Sequence, residues 1–404
     1  MGEFIAGPNF SGRSAALMER LKALAPGAAF FVGPYAEGAL SGLSSTVADE
    51  IAIYRAPKAA RPEFSALDVA AFAARKPPTL SGGEQVLLAL HCFSLSDYAV
   101  IGIDTALEQL DPANRDRALA YLSQGDFTAA LIDNRLDGPP GWSTHECSGE
   151  TAFACDLAAA TRDLKPRGAP AIAIENLSFS YPRGREIFRN ASVSLEPAQT
   201  YRLIGPNGAG KTTLFKLLAG VLAPASGTIT RDGERYAPWR EGNRIFALAA
   251  QNPDHQWCGA TLGEDVARRR RALARFSSIT VPDEPALATL AALLGVPSLD
   301  QHLYELPLVA RKRLSWLWPL SGALPWIMLD EPTIGQDRAT RAALAHAISR
   351  LAALGHGVVF ITHDDEFAVT IAHRVLRVAG GTVTWSPDGP GTAADGILGG
   401  ASRQ

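Results

Sequence analysis

Residues 205–212 read Gly-Pro-Asn-Gly-Ala-Gly-Lys-Thr, the pattern GxxxxGK[ST]. That spacing is phosphate chemistry. Gly205, Gly208 and Gly210, with Pro206, Asn207 and Ala209 between them, let successive backbone N–H groups crowd around an anion. Lys211 reaches the terminal phosphates, the Thr212 hydroxyl is placed to ligate Mg²⁺, and Thr213 continues into the helix whose N-terminal dipole favours negative charge. A second cluster, Asp330-Glu331, closes the run PWIMLDEPT. A carboxylate at the end of a buried strand can hold Mg²⁺, as expected for Asp330. Glu331, one residue on, is then placed to orient or deprotonate a water. His363 ends a third apolar run, VVFITHDD, where it can sense a terminal phosphate.

These groups work only if strands deliver them to one edge. TYRLI before the glycine loop and TTLFKLLAGVL after it predict strand, loop and helix in the order the motif needs. AIAIENLSFSY, from Ala171, alternates like a strand. LDGPPGW and LKPRGAP are breaker clusters, and the segment between them reads as a linker.

A fourth signal lies far upstream. Leu80-Ser81-Gly82-Gly83-Glu84-Gln85 opens the helical run VLLALHCFSL. A Ser-Gly-Gly turn at a helix start can cradle an anion. By itself it also fits an N-cap, with Glu84 three residues after Ser81. A repeat gives it meaning. LSGGEQVLLALHCFSLSDYAVIGID (80–104) and LPLVARKRLSWLWPLSGALPWIMLD (306–330) share one unbroken register, and FIAGPNFSGRS (4–14) pairs with RLIGPNGAGKT (202–212). The chain therefore reads as two copies of one unit, the first shorter where the second carries SGTITRDGERYAP.

On these motifs the chain resembles two ATP-binding-cassette (ABC) ATPase domains fused in tandem. The resemblance implies an α/β fold of two P-loop NTPase domains. A truncated, degenerate first domain with an intact signature motif spans 1–140, a linker 141–169, a second domain with intact Walker A and B motifs 170–390, and a flexible tail 391–404. It implies ATP and Mg²⁺ as ligands. Tyr181 would stack on adenine, 205–213 would form Walker A, and Gln251 the Q-loop, serving both catalysis and the metal with Thr212 and Asp330. Glu331 and His363 would be catalytic, and Asp337 would lie in the D-loop. The run QNPDHQWCGATLGEDV (251–266) and EPTIGQD (331–337) are similar to importer ATPases of the energy-coupling-factor and cobalt type.

The copies depart from the family in complementary places. The first has Arg13 for the loop lysine, Phe10 for a loop glycine, Thr105 for the glutamate and Asn134 for the histidine, and Val32 best matches Gln251. An arginine fork does not replace a compact ammonium. The second copy has lost the glycines of its signature, which reads Leu306-Pro307-Leu308-Val309-Ala310. Cassettes of this family pair head to tail, so the resemblance implies one complete composite site. Ser81, Gly82, Gly83 and Glu84 would complete the nucleotide site of the second copy, while the opposite site is broken on both faces.

Composition narrows the function. The chain has 404 residues, 47% hydrophobic and 20% charged, with a net charge of -3, which excludes a mainly disordered chain or a surface basic throughout. No apolar run is long enough to span a membrane, and the first residues carry no secretory pattern. Four cysteines without a CxxC pair predict a reduced, cytoplasmic setting. The expected role is the ATP-hydrolysing subunit of a micronutrient, vitamin or metal-ion uptake system, peripheral on the inner face of the membrane. Integral-membrane subunits would act in trans, and the two halves would pair intramolecularly. The run Arg268–Arg271 keeps open a soluble ABC ATPase acting on nucleic acid or ribosomes, although the overall acidity makes nucleic acid the weaker fit. A third reading is an ATP-binding regulator with little turnover.

Overall fold

The structure is a computed structural model that describes residues 2–7, 13–56, 61–66, 68–147, 157, 161, 164, 168–182 and 186–386. The chain forms two compact units. The first comprises Met1–Ala154 with Ile334–Thr340, the second Cys155–Thr333 with Arg341–Gln404.

The first unit is built on five strands: β1 (Gly2–Ala6), β2 (Phe30–Val32), β3 (Val100–Asp104), β4 (Thr128–Ile132) and β5 (Ser143–Glu146). They form one parallel sheet in the order β2-β3-β4-β1-β5. β3 is buried along its whole length, the reading expected of a parallel strand covered on both faces. Alternate residues serve opposite faces. Val100, Ala130 and Ile132 meet Leu17 and Leu21 of the helix Arg13–Leu24. Ile101, Ile103 and Leu131 face the core that holds Val86, Leu90 and Phe93 of the helix Gly82–Leu95. The result is a helix–sheet–helix sandwich. The expected linker is corrected here: Ser143–Glu146 pair with β1, so the first unit's sheet continues past residue 140.

The second unit has two sheets. Strands β6 (Ile172–Ser180), β7 (Glu186–Leu195), β9 (Ser226–Arg231) and β10 (Glu234–Tyr236) form an antiparallel sheet in the order β10-β9-β6-β7. The larger sheet contains β8 (Thr200–Ile204), β11 (Phe246–Ala249), β12 (Trp326–Asp330), β13 (Gly357–Ile361), β14 (Arg374–Ala379) and β15 (Thr382–Trp385), ordered β11-β12-β13-β8-β14-β15. All its neighbours are parallel except β14 and β15. Leu214, Phe215 and Leu218 of the helix Lys211–Leu218 pack into a core shared by both sheets, with Phe188, Tyr236 and Met328.

The two parallel sheets have one topology. Strand for strand, β1, β2, β3, β4 and β5 occupy the sheet positions of β8, β11, β12, β13 and β14. The antiparallel sheet of the second unit has no counterpart among the described residues of the first. The shared pairing also corrects one match. Val32 pairs with Ile103, as Ala249 pairs with Leu329, so the residue in Gln251's place is Pro34 and not Val32. The tail 391–404, Phe10 and most of the linker lie outside the described residues.

Candidate functional site

In the second unit the loop after β8 bends through positive φ at Gly205 (151°) and Gly210 (108°). A Cβ on Gly205 would lie 2.3 Å from the Val378 carbonyl oxygen, and one on Gly210 would lie 2.5 Å from Ile187. Glycine is therefore required at both positions, for backbone conformation and for space. Gly210 caps the helix Lys211–Leu218 without a side chain, which leaves the first amides of that helix for a ligand. Lys211 Nζ donates to the carbonyls of Gly205 at 2.7 Å and Pro206 at 3.3 Å, spanning its own loop. Asn207 Nδ2 is shielded from solvent with no partner, a second donor held in the loop. Gly208 and Ala209 complete the turn, and Ala209 N–H donates to Pro206.

The Thr212 hydroxyl donates to Asp330 Oδ2 at 2.7 Å, so the loop and the end of β12 meet as the sequence implies. Burial pushes the Asp330 carboxyl up to about 6. The Thr212 hydroxyl, Lys312 and Lys211 oppose that rise and Glu331 adds to it. A hydroxyl and a carboxylate at this spacing are an all-oxygen pair of the kind magnesium takes beside nucleotide phosphates. Glu331 has φ 46°, a left-handed conformation uncommon outside glycine. Its amide donates to Ile361 at 2.9 Å, which fixes the turn against β13. The strained backbone carries the carboxylate to His363, whose amide lies 3.3 Å from one carboxylate oxygen and whose Nε2 lies 3.6 Å from the other. Strain of this kind costs roughly 1–3 kcal/mol and clusters at functional positions.

Tyr181 follows β6, packs edge to face on Phe179 with ring centroids 5.0 Å apart, and shares a 3.2 Å hydroxyl contact with Thr213. The residue is 37% exposed. Gln251 lies two residues past the end of β11, with its carbonyl bound by Lys312.

Sequence reading missed Lys312. It is 1% exposed, and its ammonium donates to the carbonyls of Ala250 at 2.9 Å, Gln251 at 2.8 Å and Asp330 at 3.0 Å. Burial pushes its pKa down to about 8, against the raising effect of Asp330 and Glu331. The available signal was the lysine of VARKRLSWL aligned with the apolar Val86 in the repeat.

The first unit repeats the frame with other side chains. Ser14 donates to Asp104 Oδ2 at 2.6 Å, in the places of Thr212 and Asp330. Thr105 has φ 55° and its amide donates to Ile132 at 2.8 Å, the turn that Glu331 makes. Arg13 is buried, and one nitrogen donates to Asn134 at 2.9 Å. Asn134 in turn gives both its amide and its side chain to Glu108, and the other Glu108 oxygen accepts the Gly335 amide at 2.9 Å. Glu108 is buried, and desolvation with the neighbouring Asp133 raises its pKa.

Ser81, Gly82, Gly83 and Glu84 form the start of the helix Gly82–Leu95 as a capping box. Ser81 Oγ accepts from Glu84 N at 3.4 Å, and Glu84 Oε2 accepts from Ser81 N at 2.7 Å. The Glu84 carboxylate also lies 3.8 Å from Arg75. At the matching place in the second unit, Pro307 starts the helix Leu308–Leu314 with no side-chain cap. The arginine run has local partners. Arg268 and Arg269 donate to the carbonyls of Cys258 and Gln256, Arg269 pairs with Asp265 at 2.9 Å, and Arg270 donates to Pro282 at 3.0 Å. Those bonds anchor the loops beside the helix Leu262–Leu273 and occupy several of the guanidinium N–H groups of the run.

A phosphate loop, a strand-end Asp-Glu and a histidine on the adjoining strand define a P-loop nucleotide-binding unit. The family described as ABC transporter matches residues 188–334. An ABC transporter ATP-binding protein of Pyrococcus furiosus is 30% identical over 220 residues, 54% of this chain and 83% of that protein. The chain belongs to the family of ABC transporter ATP-binding proteins. It is also similar to one named so in Streptomyces coelicolor, at 35% identity over 243 residues, 59% of this chain. A third relative, named as the HMP/thiamine import ATP-binding protein YkoD of Bacillus subtilis, is 32% identical over 215 residues, 52% of this chain. The matches span only 41% and 38% of the length of those last two proteins.

Proposed function

We propose that the chain binds and hydrolyses ATP at the second unit and that this energises a membrane transporter. The observation that carries the reading is the convergence, on the P-loop of that unit, of the Thr212–Asp330 hydrogen bond and the Glu331–His363 pair. Lys211 and the amides at the helix start bind the phosphates. Thr212 and Asp330, with Gln251, would hold Mg²⁺, which when bound neutralises phosphate charge. Glu331 accepts the proton of the attacking water, and His363 keeps that carboxylate in place. Catalysis of this class is mostly positioning and charge stabilisation.

The first unit is proposed to be a second, degenerate cassette, supported by its matching strand order and by the repeat. It would lend Ser81, Gly82 and Gly83 to the nucleotide of the second unit. The support is the pattern of losses, which leaves every element of one composite site and spoils both faces of the other, where Ser14 and Asp104 remain but Arg13, Thr105, Asn134 and Pro307–Val309 replace the expected groups. No helix among the described residues is long and apolar enough to cross a membrane, so transport would require separate membrane subunits, with this chain peripheral on their cytoplasmic side. The relative named for HMP/thiamine import and the sequence around Gln251 favour uptake of a vitamin or another micronutrient. The test is steady-state ATP hydrolysis by the full chain, alone and with Glu331→Gln. Absence of turnover that depends on Glu331 overturns the reading.

A further inference from the structure

Lys312 brings three carbonyl groups together that belong to two different strand ends. Ala250 and Gln251 follow β11, and Asp330 ends β12. The buried carboxylates of Asp330 and Glu331 favour a cation here, but burying one is unfavourable unless it is fully bonded. An ammonium has three N–H groups, and the three carbonyls take all of them. The neighbouring Arg311 adds a second tie from the same helix, with one nitrogen 2.7 Å from each oxygen of Asp254. The helix Leu308–Leu314 begins where the repeat has lost its glycine signature, and it grips the segment 250–254 through two successive cationic residues. In the first unit the carbonyl of Pro34, in Gln251's place, is bound by the neutral side chain of Gln109 instead. In the repeat register Val86, fully buried and apolar, stands in the place of Lys312.

We infer that Lys312 is a positioning residue. It fixes the chain at Gln251 to the chain at Asp330, so that the oxygen groups of both strand ends meet a magnesium–nucleotide complex at one set spacing. The inference rests on the ATP reading above and adds a residue that touches neither nucleotide nor metal. Its removal should act on the metal-dependent part of binding and spare the part that comes from the loop and Tyr181.

The experiment is calorimetric titration of the full-length chain with a non-hydrolysable ATP analogue, with Mg²⁺ and with EDTA, for the wild type and Lys312→Met. Supporting residues behind metal ligands typically change affinity or activity about 10–100-fold when lost, so the gain in affinity from Mg²⁺ should shrink by about tenfold or more. The affinity in EDTA should change by less than about twofold. A lysine that serves stability alone would lower the melting temperature and leave the Mg²⁺ gain intact, and that result overturns the inference. Lys312→Gln keeps donors on a shorter side chain and serves if the Met variant does not fold. An undiminished Mg²⁺ gain in whichever variant folds overturns the inference equally. Should the wild type bind no analogue, the ATP reading has failed separately. Amide hydrogen exchange without nucleotide then decides whether the clamp exists. Exchange at 250–252 and 330–331 should rise about tenfold in the variant with 211–218 unchanged, and equal exchange overturns it.

Discussion

The same strand-end frame appears twice in this chain with different outcomes. Ser14 and Asp104 are 2.6 Å apart where Thr212 and Asp330 are 2.7 Å apart. Thr105 holds φ 55° where Glu331 holds 46°. A β-branched residue is costly in that region, yet the turn survives at Thr105 with no carboxylate to present. The backbone is fixed by strand pairing, since the amide after each aspartate bonds to the next strand whatever the side chain. The side chains differ: Thr105, Asn134 and Arg13 stand where the second unit has Glu331, His363 and Lys211. On the proposed reading of the first unit as a degenerate cassette, the scaffold has been kept while the phosphate chemistry has gone.

The largest effect should come from the signature. Gly83→Asp would put a negative charge against the phosphates if the two units pair as proposed, and like charges in a partly dry site repel by several kcal/mol. Turnover should fall by at least about 10³-fold, with ATP still bound. The matching Val309→Asp should cost less than about threefold, because the site it faces lacks the other parts. Equal losses in two folded variants would break the proposed pairing.

Next in size is Glu331→Gln, expected to cut turnover about 10²–10⁴-fold, the range for a lost general base, and to leave nucleotide affinity near normal. Thr105→Gln makes the comparison within one chain, since it occupies the same turn and should leave turnover within about twofold. A Glu331→Gln enzyme with ordinary turnover would remove that carboxylate from the chemistry.

The sequence carried much of this, for physical reasons. Buried parallel strands are largely apolar, so WIMLD and GVVFI stand out, with Asp330, Glu331 and His363 at or just past their ends. Register was less legible. Three residues of β2 and a proline-bearing loop gave no pattern by which to place Val32 against Ala249 rather than Gln251. β5 was hidden because its four residues, Ser143–Glu146, are polar and exposed. Edge strands of that composition lack the apolar signal of central ones. The Lys312 and Glu108 networks were poorly legible because a buried ion is recognised mainly through its partners, and those partners, mostly backbone groups, are distant in sequence.

A smaller effect follows from the burial of Asp330. Its carboxyl is raised from 3.8 to about 6 in the folded chain. For a group raised on folding, the stabilising contribution is full below the unfolded pKa and is lost as pH rises through the folded one. Asp330 should therefore favour the fold below about pH 4 and oppose it above about pH 6, by roughly 1–3 kcal/mol. Asp330→Asn is expected to raise the melting temperature of the nucleotide-free chain by a few degrees at pH 7.5, less at pH 4.5, while removing Mg²⁺-dependent binding. Thermal melts at the two pH values decide it. A lower melting temperature at pH 7.5 would mean that the Thr212 and Lys312 contacts outweigh the cost of burying the charge.

The smallest expected effect is the most direct attack on the comparison. Arg13→Lys restores the compact ammonium expected of a phosphate loop, and if the first unit's site were one residue from function, activity should return. The structure argues against it. Arg13 is buried and bonded to Asn134, and Asn134 is itself held through two bonds by Glu108. A lysine would lose the fork that reaches Asn134 and would face a site with no base at Thr105. In a Glu331→Gln background, where the second unit is silent, adding Arg13→Lys should raise ATP turnover by less than about twofold, since a missing base alone is worth about 10²–10⁴. Recovery of a tenth or more of wild-type turnover in that double variant would show that the difference between the two units is a single side chain rather than a whole network.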